Sequence, residues 1–279
     1  MEEKELGGGL LDSIDDMLSN GLTADVGGRD KPLEPISQDS IEADVNAEEK
    51  STCKAAKDDD VKKKYDKPFV HLHLHSEYSL LDGLARITKG KKSPLLDACV
   101  DLGMPGCALT DHGNMFGAYT FYKAANKRNL RPIIGCEFYT CENMLNTDTS
   151  ERNHLVLIAK NNIGYKNLVK MDSLAYIDGY YYKPRIDLQL LQQHSEGVIC
   201  LSACLSGKIP RLLSSGDYEG AKEYALRLKS MFDEGDFYIE LQDHGLPEQR
   251  AIRGDLVRLA DEIGVKLVAT NDVHYVNRE

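Results

Sequence analysis

The stretch FVHLHLHSEYSLLDG, residues 69–83, places histidines at positions 71, 73 and 75. A β-strand sends alternate side chains to opposite faces, so His71, His73 and His75 share one face and Val70, Leu72 and Leu74 the other. Such a strand packs on one side and presents imidazoles on the other. Beyond it, the runs GCALT, RPIIGCEFY, HLVLIA, GVICLSAC, FYIELQ and KLVATND read as further strands. Between several of them lie amphipathic stretches with helical periodicity: SPLLDACVDLG, FGAYTFYKAANKRN, NIGYKNLVKMDSLA, DYEGAKEYALRLKSMF and PEQRAIRGDLVRLADEIG. The last two helices are expected to stop at or just before Gly235 and Gly264. About seven strand-and-helix units imply an α/β chain with parallel strands in a barrel, not an antiparallel sandwich.

Residues of metal-ligand type recur at the ends of these strands. His73 and His75 end the first, Asp82 follows it, Asp111 and His112 follow the second, and Glu137 lies in the third. Cys204 closes the fifth, and Asp272 and His274 follow the last. Barrel enzymes assemble their sites at the carboxyl ends of strands, which is where this set falls. His154 is the exception, since it stands at the start of its strand. Taken singly these residues have duller readings. Asp82 before Gly83 and Asp111 near Gly113 suit turns, Cys204 suits a small buried position, and His71, His194 and His244 read as structural. Their co-occurrence at one structural level is what implies a metal centre. Imidazole, carboxylate and one thiolate suit zinc, with manganese or iron also open and magnesium unsuited as the only ion. Several ions held close together, with Glu137 as a bridging carboxylate, would serve phosphoester hydrolysis.

Composition narrows the class. The formal charge is −11, but residues 1–66 hold 9 of the 34 basic and 18 of the 45 acidic side chains, so the body is close to neutral. A broadly basic nucleic-acid binder is excluded, whereas a local polyanion site charged by metal ions is not. The acidic leader, 1–66, is expected to be mostly disordered, with a short helix within GLLDSIDDMLSN, because its composition cannot offset ordering entropy. Seven scattered cysteines without a CxxC pair argue against a disulfide framework. No apolar run approaches a membrane span and the start lacks signal-peptide character, so a cytoplasmic location without membrane association is expected.

The segments HLHLHSEYSLLDG, ALTDHGNMFGA, IIGCEFY, YYYKPRIDLQLL, LSACLSG, FYIELQDHGLPEQ and ATNDVHYV together resemble the PHP (polymerase and histidinol phosphatase) domain at the amino end of bacterial DNA polymerase III alpha subunits. The resemblance covers residues 67–279. It implies a (β/α)7 TIM-like barrel holding up to three zinc or manganese ions, with iron or magnesium as alternatives, and metal-dependent 3′ to 5′ exonuclease proofreading on a DNA 3′ end. The ligand positions it implies are His73, His75, Asp82, His112, Glu137, His154, Cys204, Asp272 and His274, with none missing. Asp111, Glu137 and Arg185 are the catalytic candidates, Arg185 as a phosphate clamp beside Lys183, and Tyr180, Tyr181 or Tyr182 could stack on a terminal base. The implied partners are the remaining polymerase III alpha regions or other replisome subunits. The chain stops before any palm, thumb or finger region, so it is not expected to polymerise DNA alone. Two rival readings stand beside the exonuclease: a non-catalytic metal-binding scaffold, and a phosphoesterase for small molecules.

Overall fold

The structure is a computed structural model that describes residues 69–277. The leader expected over 1–66, with its short helix, lies outside the described residues. Within them the chain runs α1 (Pro94–Asp101), β1 (Gly106–Leu109), α2 (Ala118–Asn126), β2 (Arg131–Cys141), β3 (Asn153–Ala159), α3 (Asn162–Ile177), β4 (Tyr180–Tyr181) and β5 (Lys183–Asp187). It continues through α4 (Leu188–Gln193), β6 (Val198–Leu201), α5 (Lys208–Ser214), α6 (Tyr218–Lys229), β7 (Phe237–Leu241), α7 (Pro247–Ile263) and β8 (Lys266–Ala269). Among the described residues no helix is long and apolar enough to cross a membrane.

The sheet curls into the expected α/β barrel. β1 pairs in parallel with the first half of β2, and β3, β6, β7 and β8 follow in order from its other edge. The histidine segment joins the two free edges: His71 O and Leu74 O accept from Ala108 N and Thr110 N on the β1 side, and His75 N donates to Val273 O on the other. This segment is less regular than a strand. It bends at Leu72 and His73 and forms only isolated bridges, Leu74 with Val273 and Ser76 with Ala85. The bend splits the apolar face predicted from strict alternation. Val70 and Leu72 pack inside the barrel with Val156, Ile158 and Leu201, while Leu74 packs outside with Ile87 and Leu96.

Strand β3 is antiparallel to both β2 and β6, which corrects the expectation of parallel staves throughout. The reason is in the connection. No helix separates β2 from β3, and a parallel return needs a crossover, usually a helix, that this loop does not contain. Elsewhere alternation holds, with both faces buried because helices cover the outside. Val156 and Ile158 of β3 point into the barrel, and Leu155 and Leu157 pack outward in the cluster that includes Leu168 and Met171 of α3.

Of the two helix ends predicted at glycine, α7 stops as expected. Gly264 takes the left-handed conformation at φ 64° and caps it through its N–H. α6 ends earlier, at Lys229, and Gly235 turns the chain into β7. β4, β5, α4 and α5 were not anticipated from apolar runs, since they are short or strongly polar.

One half-buried acid on α3 gives the fold a pH dependence. Asp172 accepts from the Met115 N–H, but its Oδ1 has no partner, and burial pushes its carboxyl up to about 6. Between the usual carboxylate value, 3.8, and about 6 the folded state therefore holds more proton than the unfolded chain, and stability falls as pH rises through that window. Asp172→Asn is expected to raise stability by on the order of 2 kcal/mol at neutral pH, with the gain vanishing below about pH 4. Paired thermal melts across pH check this; a constant difference would count against it.

Candidate metal centre

The barrel topology brings every proposed ligand to one rim. His112 sits in the turn after β1, and a parallel bridge sets it beside Glu137 in the middle of the long β2. Because β3 runs backwards, its first residues lie at this same rim: His154 pairs with Tyr139, two residues beyond Glu137. The apparent exception in the sequence is thus removed by strand direction. Cys204 follows β6, Asp272 and His274 follow β8, and Asp82 hangs from the loop after the histidine segment. Gly113 makes the His112 turn possible. It adopts φ 55° and donates to Glu137 O, and a Cβ there would stand 2.9 Å from the Tyr139 ring.

Glu137 is the hub. Its Oε1 lies 2.8 Å from His154 Nδ1 and 3.3 Å from His73 Nε2; its Oε2 lies 2.6 Å from His112 Nδ1 and 3.6 Å from His75 Nε2. Asp272 Oδ1 stands 3.2 Å from His73 Nε2 and 3.1 Å from His75 Nε2. Three overlapping donor groups result: His73 with His75 and Asp272; His112 with Glu137 and His154; His75 with His112 and His274, the donor atoms of each lying within 4.8 Å of one another. Cys204 Sγ borders the second group, 3.6 Å from His154 Nδ1 and 3.8 Å from Glu137 Oε1. Asp82 Oδ2 borders the third, 3.4 Å from His112 Nε2 and 3.9 Å from His274 Nε2.

These residues fit divalent cations by a test independent of residue type. His73 Nε2, His75 Nε2, His112 Nδ1, Glu137 Oε2 and Asp272 Oδ1 are buried and face one another, at 2.6 Å between His112 Nδ1 and Glu137 Oε2 and 3.1–3.2 Å between Asp272 Oδ1 and the two Nε2 atoms. Buried imidazole nitrogens and carboxylate oxygens packed face to face are satisfied only by protons or cations held between them, which is the donor arrangement of a metal cage. Asp272 reinforces the point. It holds φ 45°, and Ala203, just before Cys204, holds φ 66°, so left-handed backbone is spent at the rim.

The opposite ring nitrogens are held by hydrogen bonds that the ligand list did not anticipate. Buried Glu240 on β7 accepts from His73 Nδ1 at 2.7 Å and is itself bonded by Gln242 and Thr270. Ser79 Oγ lies 3.0 Å from His75 Nδ1 and donates to Asp111 Oδ1 at 2.8 Å. Both networks assign the imidazole proton to Nδ1 and leave Nε2 free toward the cage. Glu240 was legible in principle, because a carboxylate inside the apolar run FYIEL is costly without a task. Ser79 carried no such signal. We expect Glu240→Ala to lower metal affinity by about 10- to 100-fold, and Glu240→Gln, which can still accept from Nδ1–H, to lower it less. Titration against a chromophoric chelator reads this directly; equal affinities in all three proteins would refute the role.

The electrostatics fit a site in which cations replace protons. Burial works to lower His73, but the Glu240, Glu137 and Asp272 carboxylates outweigh it and hold the imidazole well above its usual value. Burial drives His75 down to about 4 despite Asp272 and Glu137. Glu137 is held well below the carboxylate range, burial being overcome by His73 and His154, and Asp272 falls to about 2 because His73 likewise outweighs its burial. Burial, with Glu137 nearby, pushes the Cys204 thiol strongly upward. Its thiolate would form only against a metal ion.

Two of the three catalytic candidates fall outside the cage. Asp111 is buried and spends its carboxylate on Ser76 N, Ser76 Oγ and Ser79 Oγ, so it orients the 76–79 loop and reaches His75 only through Ser79. Arg185 is 1% exposed and donates to the carbonyls of Gly179, Thr149, Met144 and Asn146. Its guanidinium ties down the 142–152 loop and is not free to grip a phosphate. Of the histidines read as structural, His71 stacks edge-on against Phe69, His194 meets Asn167, and His244 bonds Gln249 and the Asn271 carbonyl.

The DNA polymerase III subunit alpha of Borreliella burgdorferi is 48% identical over 216 residues, and that of Treponema pallidum 46% over 217. Each match takes in 76% of this chain, which spans only 18% of the length of those relatives. Among solved structures, an amidohydrolase from Chromobacterium violaceum overlays loosely, at TM-score 0.47 and 15% identity, over 74% of this chain and 87% of its own. The family model described as PHP domain matches residues 71–244, and the chain therefore belongs to the PHP domain family.

Proposed function

We propose that this chain is a divalent-metal-dependent phosphodiesterase that removes nucleotides from a DNA 3′ end, the proofreading exonuclease of a polymerase III alpha-type replication protein. The observation that carries the reading is the convergence on one rim of three overlapping groups of imidazole and carboxylate donors, the ligand atoms of each within 4.8 Å of one another. Up to three zinc or manganese ions suit the donors. Bound there, they supply Lewis-acid charge to a phosphoryl group in displacement. His73, His75 and Asp272 would hold one position, Glu137, His154 and Cys204 a second, and His112, His274 and Asp82 a third, each imidazole serving one ion. Glu137 turns one oxygen toward His154 and the other toward His112, which suits a carboxylate bridging two positions. Asp82, half exposed, faces the solvent side from which substrate would enter. DNA rather than a small phosphoester is favoured as substrate because the relatives at 46–48% identity are DNA polymerase III alpha subunits. The remaining alpha regions and other replisome subunits are the proposed partners.

The test is to load the full chain with zinc or manganese, measure bound metal, and follow release of nucleotides from a mismatched primer end beside hydrolysis of a phosphomonoester. Release from the primer end supports the reading. A metal-replete protein without turnover would establish a scaffold, and turnover of the monoester alone a small-molecule enzyme.

A further inference from the structure

Three aromatic rings stand in a row on the surface beside the metal centre, and the chemistry described so far does not use them. Phe116 is 57% exposed, Tyr176 38% and Tyr180 58%. The Phe116 and Tyr176 centroids are 6.0 Å apart, and Tyr176 and Tyr180 follow at 6.2 Å with planes 26° apart. They come from three separate elements, the loop before α2, the end of α3, and β4, so the row is a product of the fold and not of local sequence. We propose that Phe116, Tyr176 and Tyr180 form the platform on which the last unpaired bases of a single-stranded 3′ end stack as its terminal phosphodiester reaches the metal centre. This rests on the phosphodiesterase reading and names the form of substrate that the site takes.

Position argues for it first. Tyr180 pairs across the ladder with Pro184, and Pro184 packs against Gly113, the residue next to His112. Phe116 follows His112 within the same loop. Both ends of the row thus lie next to the ligand-bearing turn. Charge argues second. Lys183 Nζ lies 5.5 Å from the Tyr139 ring, which in turn stacks near His112, and Lys123 Nζ lies 5.1 Å from the Tyr119 ring one turn beyond Phe116. Exposed rings with ammonium groups on neighbouring rings suit a chain that carries both bases and phosphates. Stacking faces are open only on unpaired bases, so such a platform would favour a frayed or mismatched end over a paired one.

The chain contains no tryptophan, which permits a clean optical test. In Tyr180→Trp the only indole fluorescence reports the platform, and a short single-stranded oligodeoxynucleotide is expected to quench it, while Leu226→Trp on α6 stays unquenched. In parallel, Phe116→Ala/Tyr176→Ala/Tyr180→Ala is expected to raise KM for that oligonucleotide by about tenfold or more. Hydrolysis of bis(p-nitrophenyl) phosphate, which carries no base, and the metal content should stay within about twofold of wild type. Tyr180→Phe should behave as wild type, since the ring and not the hydroxyl stacks. An unchanged KM in the triple variant, or an unquenched Tyr180→Trp at an oligonucleotide concentration that saturates cleavage, would overturn the platform and leave the phosphodiesterase reading standing; a polypeptide occupant predicts that outcome. If neither substrate is cleaved by wild type, the phosphodiesterase reading fails, and the quench alone then decides whether the row binds single strands.

Discussion

Asp272→Ala is expected to abolish hydrolysis, by about a thousandfold or more, and to strip metal from the protein while leaving the barrel folded. Its Oδ1 is the oxygen nearest both His73 Nε2 and His75 Nε2, so its loss leaves one donor group with two imidazoles and no anion. Withdrawing several kcal/mol of charge stabilisation from a phosphoryl displacement corresponds to about that factor in rate. The fold should survive because Asp272 fills no part of the apolar core and its partners are other polar residues of the rim. A metal-binding protein gains thermal stability from its ion in proportion to RT ln(1 + [L]/Kd). The measurement is therefore a pair of thermal melts with and without zinc or manganese, beside elemental analysis. Wild type should gain stability on adding metal and Asp272→Ala should gain little. A variant that retains both the metal-induced gain and full activity would remove Asp272 from the site.

Arg185→Ala is expected to cost about 3–5 kcal/mol of stability, among the largest effects available to a single polar residue in this chain. The side chain is fully buried and its charged hydrogen bonds to four carbonyls hold together the turn before β4 and the loop between β2 and β3. Each such bond contributes about 1.5–3 kcal/mol, and part of that returns when water reaches the exposed Asn146 and Thr149. Arg185→Lys should fail to rescue, because an ammonium cannot span four acceptors that a planar fork reaches at once. The denaturation midpoint is the readout. Were Arg185 instead a phosphate clamp, the midpoint would hold and KM for substrate would rise.

The candidate ligands were legible because metal chemistry restricts residue types and barrel architecture restricts where they fall. His-x-His, Asp-His and Asp-x-His steps at strand ends need no coordinates to suggest a shared rim. Arg185 shows the limit of that reasoning. An arginine beside a lysine after an aromatic run has the composition of a phosphate clamp, and only the positions of four distant carbonyls reveal it as a loop anchor. Asp111 is the same case on a smaller scale. Its neighbour His112 faces Glu137, while it turns to Ser76 and Ser79.

Glu240 and His154 mark the division most clearly. Sequence alone determined that this chain builds an α/β barrel around clustered nitrogen and oxygen donors, since period-two apolar runs, helical stretches and ligand types are local properties that read along one dimension. Tertiary structure decided that β3 runs backwards, which lifts His154 to the shared rim, and that Glu240 stands behind His73. It also set Phe116, Tyr176 and Tyr180 in one row. Those facts depend on strand direction and on contacts between residues far apart in the chain, and the energy that selects them comes from burying both faces of the sheet at once, a quantity that no single segment carries.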